Sequence, residues 1–351
     1  MANDYFHRVQ AQTATRFWIN NVTREETRRA LEAGAVGCTQ NPTFPYKMLT
    51  SREEDERAYV TGLLDAILPG QTDDNEAQIE LQRALVENIA RSFRSLYDAS
   101  GGTKGFVSIQ GDPFREDAAS IVEYARFNCT APNIMAKVPA TEEGLEAISV
   151  LAAEGIPINA TEVMSVRQAL DVADAYAAAT RGVRNPPVIY YSHIAGIFDE
   201  YLQNHVKEQG IAVSSDALWQ AGIAVAKKAY AMVNDRGLPI GFISGGARGL
   251  HHFTEMVGAS AVVTINWKGT AEELILQDPP VVQRFLQPTP ASVVDELCEK
   301  LPDFRMAYFV QGIEPSEYEH FGPVVLFHSM FESAWSKANG LISDRRKELG
   351  L

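Results

Sequence analysis

The sequence predicts an α/β protein, a (β/α)8 TIM barrel with additional helices, and three observations carry that expectation. Eight short runs rich in β-branched or aromatic residues and bounded by Gly, Pro or Asn lie at 16–20, 36–39, 105–110, 134–138, 156–160, 188–192, 240–244 and 261–265. Longer amphipathic stretches separate them, and such alternation favours a parallel sheet over an antiparallel one. The first run leads into Trp18-Ile19-Asn20-Asn21, which holds no GxGxxG and so argues against an open dinucleotide-binding sheet.

The elements follow in order. After the first strand, 23–33 opens with Thr23 and Glu26 at capping-box spacing and reads as a helix. A barrel needs about 250 residues. The remainder is placed in a helical insertion at 44–102, read as two helices, and in a helical tail at 288–351 that ends in an amphipathic helix over 322–349. The fourth strand precedes a helix at 141–154, opened by Thr141, with Leu145, Ile148, Leu151 and Ala152 on one face. The fifth precedes a helix at 165–179 with Ser165 as its cap. No repeat, low-complexity segment or linker interrupts the pattern, so one elaborated barrel over 1–351 is expected.

Composition bounds the function. With 46% hydrophobic and 22% charged residues the chain is an ordinary globular one, not a disordered, collagen-like or disulfide-scaffold protein. Thirty-one basic against 45 acidic residues leave a net charge of −14, which argues against nucleic acid or an anionic membrane as partner but leaves an anionic small substrate open. Residues 1–17 hold no apolar signal core, and no stretch approaches ~18 consecutive apolar residues. A cytoplasmic protein is therefore expected, and a homo-oligomer is allowed. Cys38, Cys129 and Cys298 make no CxxC and are expected as reduced thiols. The histidines make no HExxH, and His251 and His252 are adjacent, a spacing that does not share a helix face. No metal and no cofactor are expected.

In a barrel the reactive groups gather at the C-terminal ends of strands. Those ends carry Asn20, then Thr39 and Asn41, Gln110, Lys137, Asn159 with Thr161, Ser192, and a turn containing Gly246 and Arg248. Lys137 stands out. It lies in Asn133-Ile-Met-Ala-Lys-Val-Pro, where a buried parallel strand should be continuously apolar. Burial lowers a lysine pKa, and such an amine forms a Schiff base with a ketone. The alternative is a strand-end lysine that snorkels to solvent or pairs with a carboxylate.

Residues 133–151 (NIMAKVPATEEGLEAISVL) and 154–165 (EGIPINATEVMS) resemble the Schiff-base lysine segment of the transaldolase family. Gly37-Cys-Thr-Gln-Asn-Pro-Thr resembles that family's segment after the second strand. Phe17-Trp-Ile-Asn-Asn and Val107-Ser-Ile-Gln-Gly-Asp-Pro fall in the matching order, so the resemblance covers roughly residues 15 to 275. It implies a metal-free class I aldolase barrel with Lys137 as the imine-forming residue. It further implies that Asn41 and Asn159 hold hydroxyls of the bound ketose fragment, Thr161 positions a water, and Ser192 bonds the dihydroxyacetone moiety. Arg248, beyond Gly246, would bind a substrate phosphate; a glycine turn with an arginine is a sensible anion site.

Three positions depart from the family pattern. Its first-strand aspartate is Asn20, its third-strand glutamate is Gln110, and its second phosphate-binding arginine is Ile197. Fewer carboxylates near Lys137 should let its pKa fall further. An amide can orient water but cannot accept a proton, and losing a positioned acid or base costs about 10²–10⁴-fold. A replacement is therefore sought. Fructose-6-phosphate aldolases also carry glutamine at the Gln110 position and use a tyrosine just past the sixth strand, but that position is Ile194 here. Tyr190, Tyr191 and His193 lie next to it. His193 is the leading replacement, ahead of Glu162, while Asp112 either faces inward or caps the helix expected after it.

The expected function is a Schiff-base-forming aldehyde–ketone transferase, transaldolase-like, moving or releasing a three-carbon dihydroxyacetone unit from a sugar or sugar phosphate. The alternatives are a fructose-6-phosphate-aldolase-like lyase and a decayed sugar-phosphate-binding protein.

Overall fold

The computed structural model describes residues 4–351. Eight parallel strands, β1 (Arg16–Asn20), β2 (Gly37–Thr39), β3 (Phe106–Gln110), β4 (Ile134–Pro139), β5 (Ile158–Val163), β6 (Ile189–His193), β7 (Ile240–Ser244) and β8 (Ala261–Asn266), pair in chain order. β8 closes the barrel on β1 over five residue pairs, from Arg16 beside Val262 to Asn20 beside Asn266. This is the expected (β/α)8 architecture.

Helix α1 (Tyr5–Gln12) precedes the barrel and α2 (Arg24–Glu32) follows β1. Between β2 and β3 lie α3 (Phe44–Leu49), α4 (Glu54–Ile67) and α5 (Asp74–Ala99). The insertion thus holds three helices rather than the expected two, because the polar stretch around Ser51 interrupts the pattern between α3 and α4. The later strands are followed by α6 (Ala118–Asn128), α7 (Glu142–Ala153), α8 (Val166–Ala179), α9 (Ala195–Gln209), α10 (Ser215–Leu218), α11 (Ala221–Asn234), α12 (His251–Thr254) and α13 (Glu272–Gln277). The tail forms α14 (Ala291–Lys300), α15 (Pro302–Tyr308) and α16 (Gly322–Glu348). No helix among the described residues is long and apolar enough to cross a membrane.

The caps are those the sequence signals. Thr23 and Glu26 exchange hydrogen bonds as a capping box, and Ser165 does the same with Gln168. Thr141 accepts the Gly144 N–H at the start of α7. Gly144 has a second duty: a Cβ there would lie 1.8 Å from the Pro139 carbonyl oxygen, so only glycine lets α7 seat against the end of the strand that carries Lys137.

Alternation along the strands builds the barrel interior. Trp18, Phe106, Met135, Ile243 and Val262 form one buried cluster in its lower part. Two residues further along the same strands come Asn20, Ser108, Lys137, Gly245 and Thr264, which put the polar layer above that plug.

The tail returns over the C-terminal ends of the strands. Helix α16 packs against α3, α5 and α9. Arg345 grips Asp65 through two 2.7 Å contacts, Arg346 bonds Asp74, and the Trp335 indole N–H donates to Asn75 at 2.7 Å.

Candidate active site

A cavity of about 190 Å³ opens at the C-terminal ends of the strands, bordered by Asn20, Thr39, Asn41, Lys137, Thr161, Ser192, Gly246 and Arg248. Eight of the residues singled out in the sequence therefore converge on one space. The tail adds Phe327, Met330 and Phe331, and β8 adds Thr264 and Asn266.

Lys137 is 7% exposed, with Nζ 5.5 Å from the centroid of the Phe331 ring. Burial pulls its pKa from 10.5 down to about 8, against the opposing pull of two carboxylates, Glu162 and Glu116. Their presence corrects an expectation. The carboxylates absent at Asn20 and Gln110 have counterparts supplied from elsewhere, so the lowered pKa comes from desolvation and not from a site stripped of acids.

The amides and hydroxyls form ordered chains. Asn20 accepts from the Thr39 hydroxyl at 2.8 Å and donates to Asn266 Oδ1 at 2.9 Å. Asn41 Oδ1 accepts from Asn21 and twice from Thr43, which leaves its Nδ2 donors at the cavity wall. Ser192 donates to Asn159 Oδ1 at 2.6 Å, and Asn159 donates onward to Ser108 at 3.1 Å. Asn159 is fully enclosed and does not border the cavity; it stands behind Ser192. Thr161 borders the cavity with its Oγ1 unpartnered.

The anion site is weaker than the sequence suggested. Arg248 pairs with Glu200 and leans on the Gly246 and Ala247 carbonyls. Its own N–H donates to His252 Nδ1 at 3.3 Å, and His252 Nε2 meets Asp199 at 2.9 Å. Ile197 is buried in the core.

The structure places His193 away from the cavity. Its parity is opposite to that of Ser192, so it points out of the barrel and donates from Nδ1 to the Val163 carbonyl at 3.0 Å. It is 0% exposed, and burial pushes its pKa down to about 3, which leaves it neutral and off the cavity. Tyr190 lies in the lower plug against Trp18, and Tyr191 faces the helices against Phe242. Asp112 does not cap the next helix; it stays off the large cavity but borders a smaller one with Gln110, Glu116 and Lys137. It accepts from the Phe114 N–H and the Asn75 amide, and Asp117 caps α6.

Glu162 is the carboxylate that the strand brings to Gln110. The register between β5 and β6 shifts between Ala160 and Val163, and Glu162 has φ +61. The bulge breaks the alternation that would otherwise send this side chain outward. Gln110 Nε2 donates at 3.0 Å to both Glu162 Oε1 and Glu116 Oε1. His328 of α16 completes the group, its Nδ1 3.4 Å from Glu116 Oε2. Sequence reading missed Glu116 and His328. The first sits in a loop without a motif, and the second is one polar residue on an apolar helix face that carries Phe327, Phe331 and Trp335.

Among the described residues two groups bring three potential metal ligands within 4.8 Å, Glu116 with Glu162 and His328, and Asp199 with His251 and His252. The adjacent histidines thus share a side after all, with ring centroids 4.0 Å apart, because α12 is one turn long and both rings fold toward its neighbours. Asp199 is already engaged, by His252 and by the Gly222 N–H.

Residues 17–297 match the family described as transaldolase/fructose-6-phosphate aldolase. The chain belongs to this family. Among similar proteins, transaldolase 1 of Streptomyces coelicolor is 30% identical over 237 residues, which cover 61% of this chain and 59% of that protein. The transaldolase of Acidothermus cellulolyticus is 31% identical over 222 residues, 60% and 58% of the two chains. That of Neisseria meningitidis is 30% identical over 236 residues, 61% and 62%. The chain spans about three fifths of the length of these relatives. The family match extends past β8 into α14 but stops before α16, the helix that supplies Phe331 and His328.

Proposed function

We propose that the protein is an imine-forming transferase of the transaldolase type. Lys137 attacks the C2 carbonyl of a ketose, the C3–C4 bond breaks, and the three-carbon dihydroxyacetone unit held as an enamine passes to an acceptor aldehyde. The observation that carries this reading is the lysine amine enclosed at a cavity wall with a pKa of about 8, in a barrel layer otherwise built of hydroxyls and amides. Ser192 and Asn41 would hold substrate hydroxyls. The unpartnered Thr161 hydroxyl would hold the water that adds and removes the imine oxygen. The imine itself is the electron sink, so the scheme needs no metal.

Two features refine the reading. Phe327, Met330 and Phe331 line the mouth and exclude bulk water, which favours transfer over release of the enamine to solvent. Arg248 is already paired with Glu200 and Ile197 stands in place of a second arginine, which favours a donor or acceptor with an uncharged end over a phosphate ester.

The test is incubation with dihydroxyacetone or a panel of ketoses, then borohydride and intact mass. A covalent adduct that disappears in Lys137→Ala is expected. No adduct across the panel would overturn the reading and leave a sugar-binding protein. Turnover that depends on added acceptor aldehyde selects the transferase over the lyase.

A further inference from the structure

Helix α16 and the bulge in β5 bring together side chains for which the departures at Asn20 and Gln110 had left no counterpart. We propose that Glu162 and Glu116, bridged by the Gln110 amide and closed over by His328, form the proton-transfer site of the Lys137 chemistry. This rests on the reading of Lys137 as the imine-forming residue.

The backbone is the first argument. Glu162 is a non-glycine residue at φ +61 within a strand, and such strain persists only where its surroundings enforce it, most often at functional sites. The bulge turns Glu162 to the same side as Thr161 and Lys137, where regular alternation would have aimed it at the surrounding helices.

Hydrogen bonding is the second. Glu162 is 0% exposed, its Oε1 accepts from Gln110, and its Oε2 has no partner. The Gln110 amide spends both N–H bonds on the two glutamates, at 3.0 Å each. A glutamate in place of Gln110 would put three carboxylates in one buried space. The amide is therefore what lets two carboxylates sit where the family carries one on β3. Gln110, Glu116 and Lys137 also border one small cavity of about 10 Å³, roughly the room a single water needs.

Electrostatics agrees. The groups facing the pair are Lys137 from β4, His328 and its neighbour Glu332 from α16, and Asp112 from the loop after β3. Burial raises the pKa of both glutamates, Glu116 well above its ordinary value, and the Glu162 charge raises Glu116 further. One of them therefore tends to keep a proton where an exposed glutamate would have lost it. Apolar residues would fill this space at lower cost to stability than two buried acids, so the pair points to chemistry and not to folding.

The step balances. The C4 hydroxyl proton passes, through a water, to the Glu162 carboxylate. The C3–C4 pair moves into the iminium to give the enamine, and the aldehyde leaves. With an acceptor aldehyde the electron pair returns to form the new bond and Glu162 gives the proton to the new alkoxide. Without one, the proton goes to C3 of the enamine and water hydrolyses the imine.

The test separates the proton from the imine. Dihydroxyacetone in D2O with full-length protein acquires deuterium through the enamine, followed by NMR, while borohydride and mass read the adduct. Glu162→Gln is expected to keep the trapped adduct at equilibrium and a wild-type melting curve, yet lose exchange by about 10²–10⁴-fold. Adduct and wild-type exchange together in Glu162→Gln would overturn the proposal. No adduct in the wild type would instead overturn the imine reading on which it rests. If Glu162→Gln does not fold, His328→Gln decides. Removing the imidazole removes a charge that lowers Glu162, so at saturating dihydroxyacetone, where Lys137 is held as the imine and no longer titrates, the acid limb of the exchange profile moves to higher pH, and an unmoved limb overturns the proposal.

Discussion

Raising the pH from 7 to 10 separates a buried catalytic amine from an ordinary lysine by the shape of a single curve. With a pKa of about 8, about one tenth of Lys137 is neutral at pH 7, about nine tenths at pH 9, and nearly all at pH 10. Imine formation should therefore rise roughly tenfold over the first two units and then level off. An exposed lysine at 10.5 starts near three parts in ten thousand and gains about tenfold for every unit up to about pH 9. The two amines differ about 300-fold in neutral fraction at pH 7, the equivalent of 2.5 units. The assay is the initial rate of reductive alkylation by dihydroxyacetone and cyanoborohydride, read as adduct mass on the Lys137 peptide. An inflection near 8 is expected. A rate that still climbs about eightfold between pH 9 and pH 10, as an amine at 10.5 would, would show that the barrel does not desolvate this amine, and would remove the physical basis of the proposed mechanism.

Three further outcomes follow from the same geometry. Because the folded-state pKa of Lys137 is lowered, the penalty for its charge is present in full below about pH 8 and vanishes above 10.5; Lys137→Met should therefore gain up to about 3 kcal/mol at pH 7, with the advantage fading across that window in urea titrations. Glu200→Gln frees Arg248 and should lower KM for a phosphorylated ketose by roughly 1.4- to fivefold, the scale of a partly exposed pair worth about 0.2–1 kcal/mol, and an unchanged KM would show that Arg248 does not meet the substrate. Gly144→Ala, with its Cβ 1.8 Å from the Pro139 oxygen, should cost about 3 kcal/mol, the upper end of overpacking penalties, in denaturant stability and reduce adduct formation by displacing β4; a wild-type midpoint would contradict the close packing.

Much of the site was legible before folding was considered. Lys137 interrupts an apolar strand, and the rule that reactive groups gather at strand C-terminal ends places Asn20, Thr39, Ser192 and Arg248 around it without coordinates. Parity explains the main error. An unperturbed histidine titrates near neutrality and His193 lies beside Ser192, but one residue along a strand reverses the side chain, and the strand stays regular there. Glu162 was undervalued by the same rule for the opposite reason: it follows Thr161 directly, and only a bulge could turn it inward.

The sequence by itself determined the barrel, the lysine and the hydroxyl-lined end, because these rest on periodicity within single elements and on one charged residue in an apolar run. Tertiary structure alone decided the rest. Glu116 from a loop, Glu162 from a bulge and His328 from a helix 212 positions beyond Glu116 meet only because the chain closes on itself and the tail returns over the barrel mouth. Arg248 carries the sequence of an anion ligand, but Glu200, brought beside it by the packing of α9, already holds its charge. Such encounters leave no trace in local pattern, since each partner is unremarkable in its own segment and only their distance makes the chemistry.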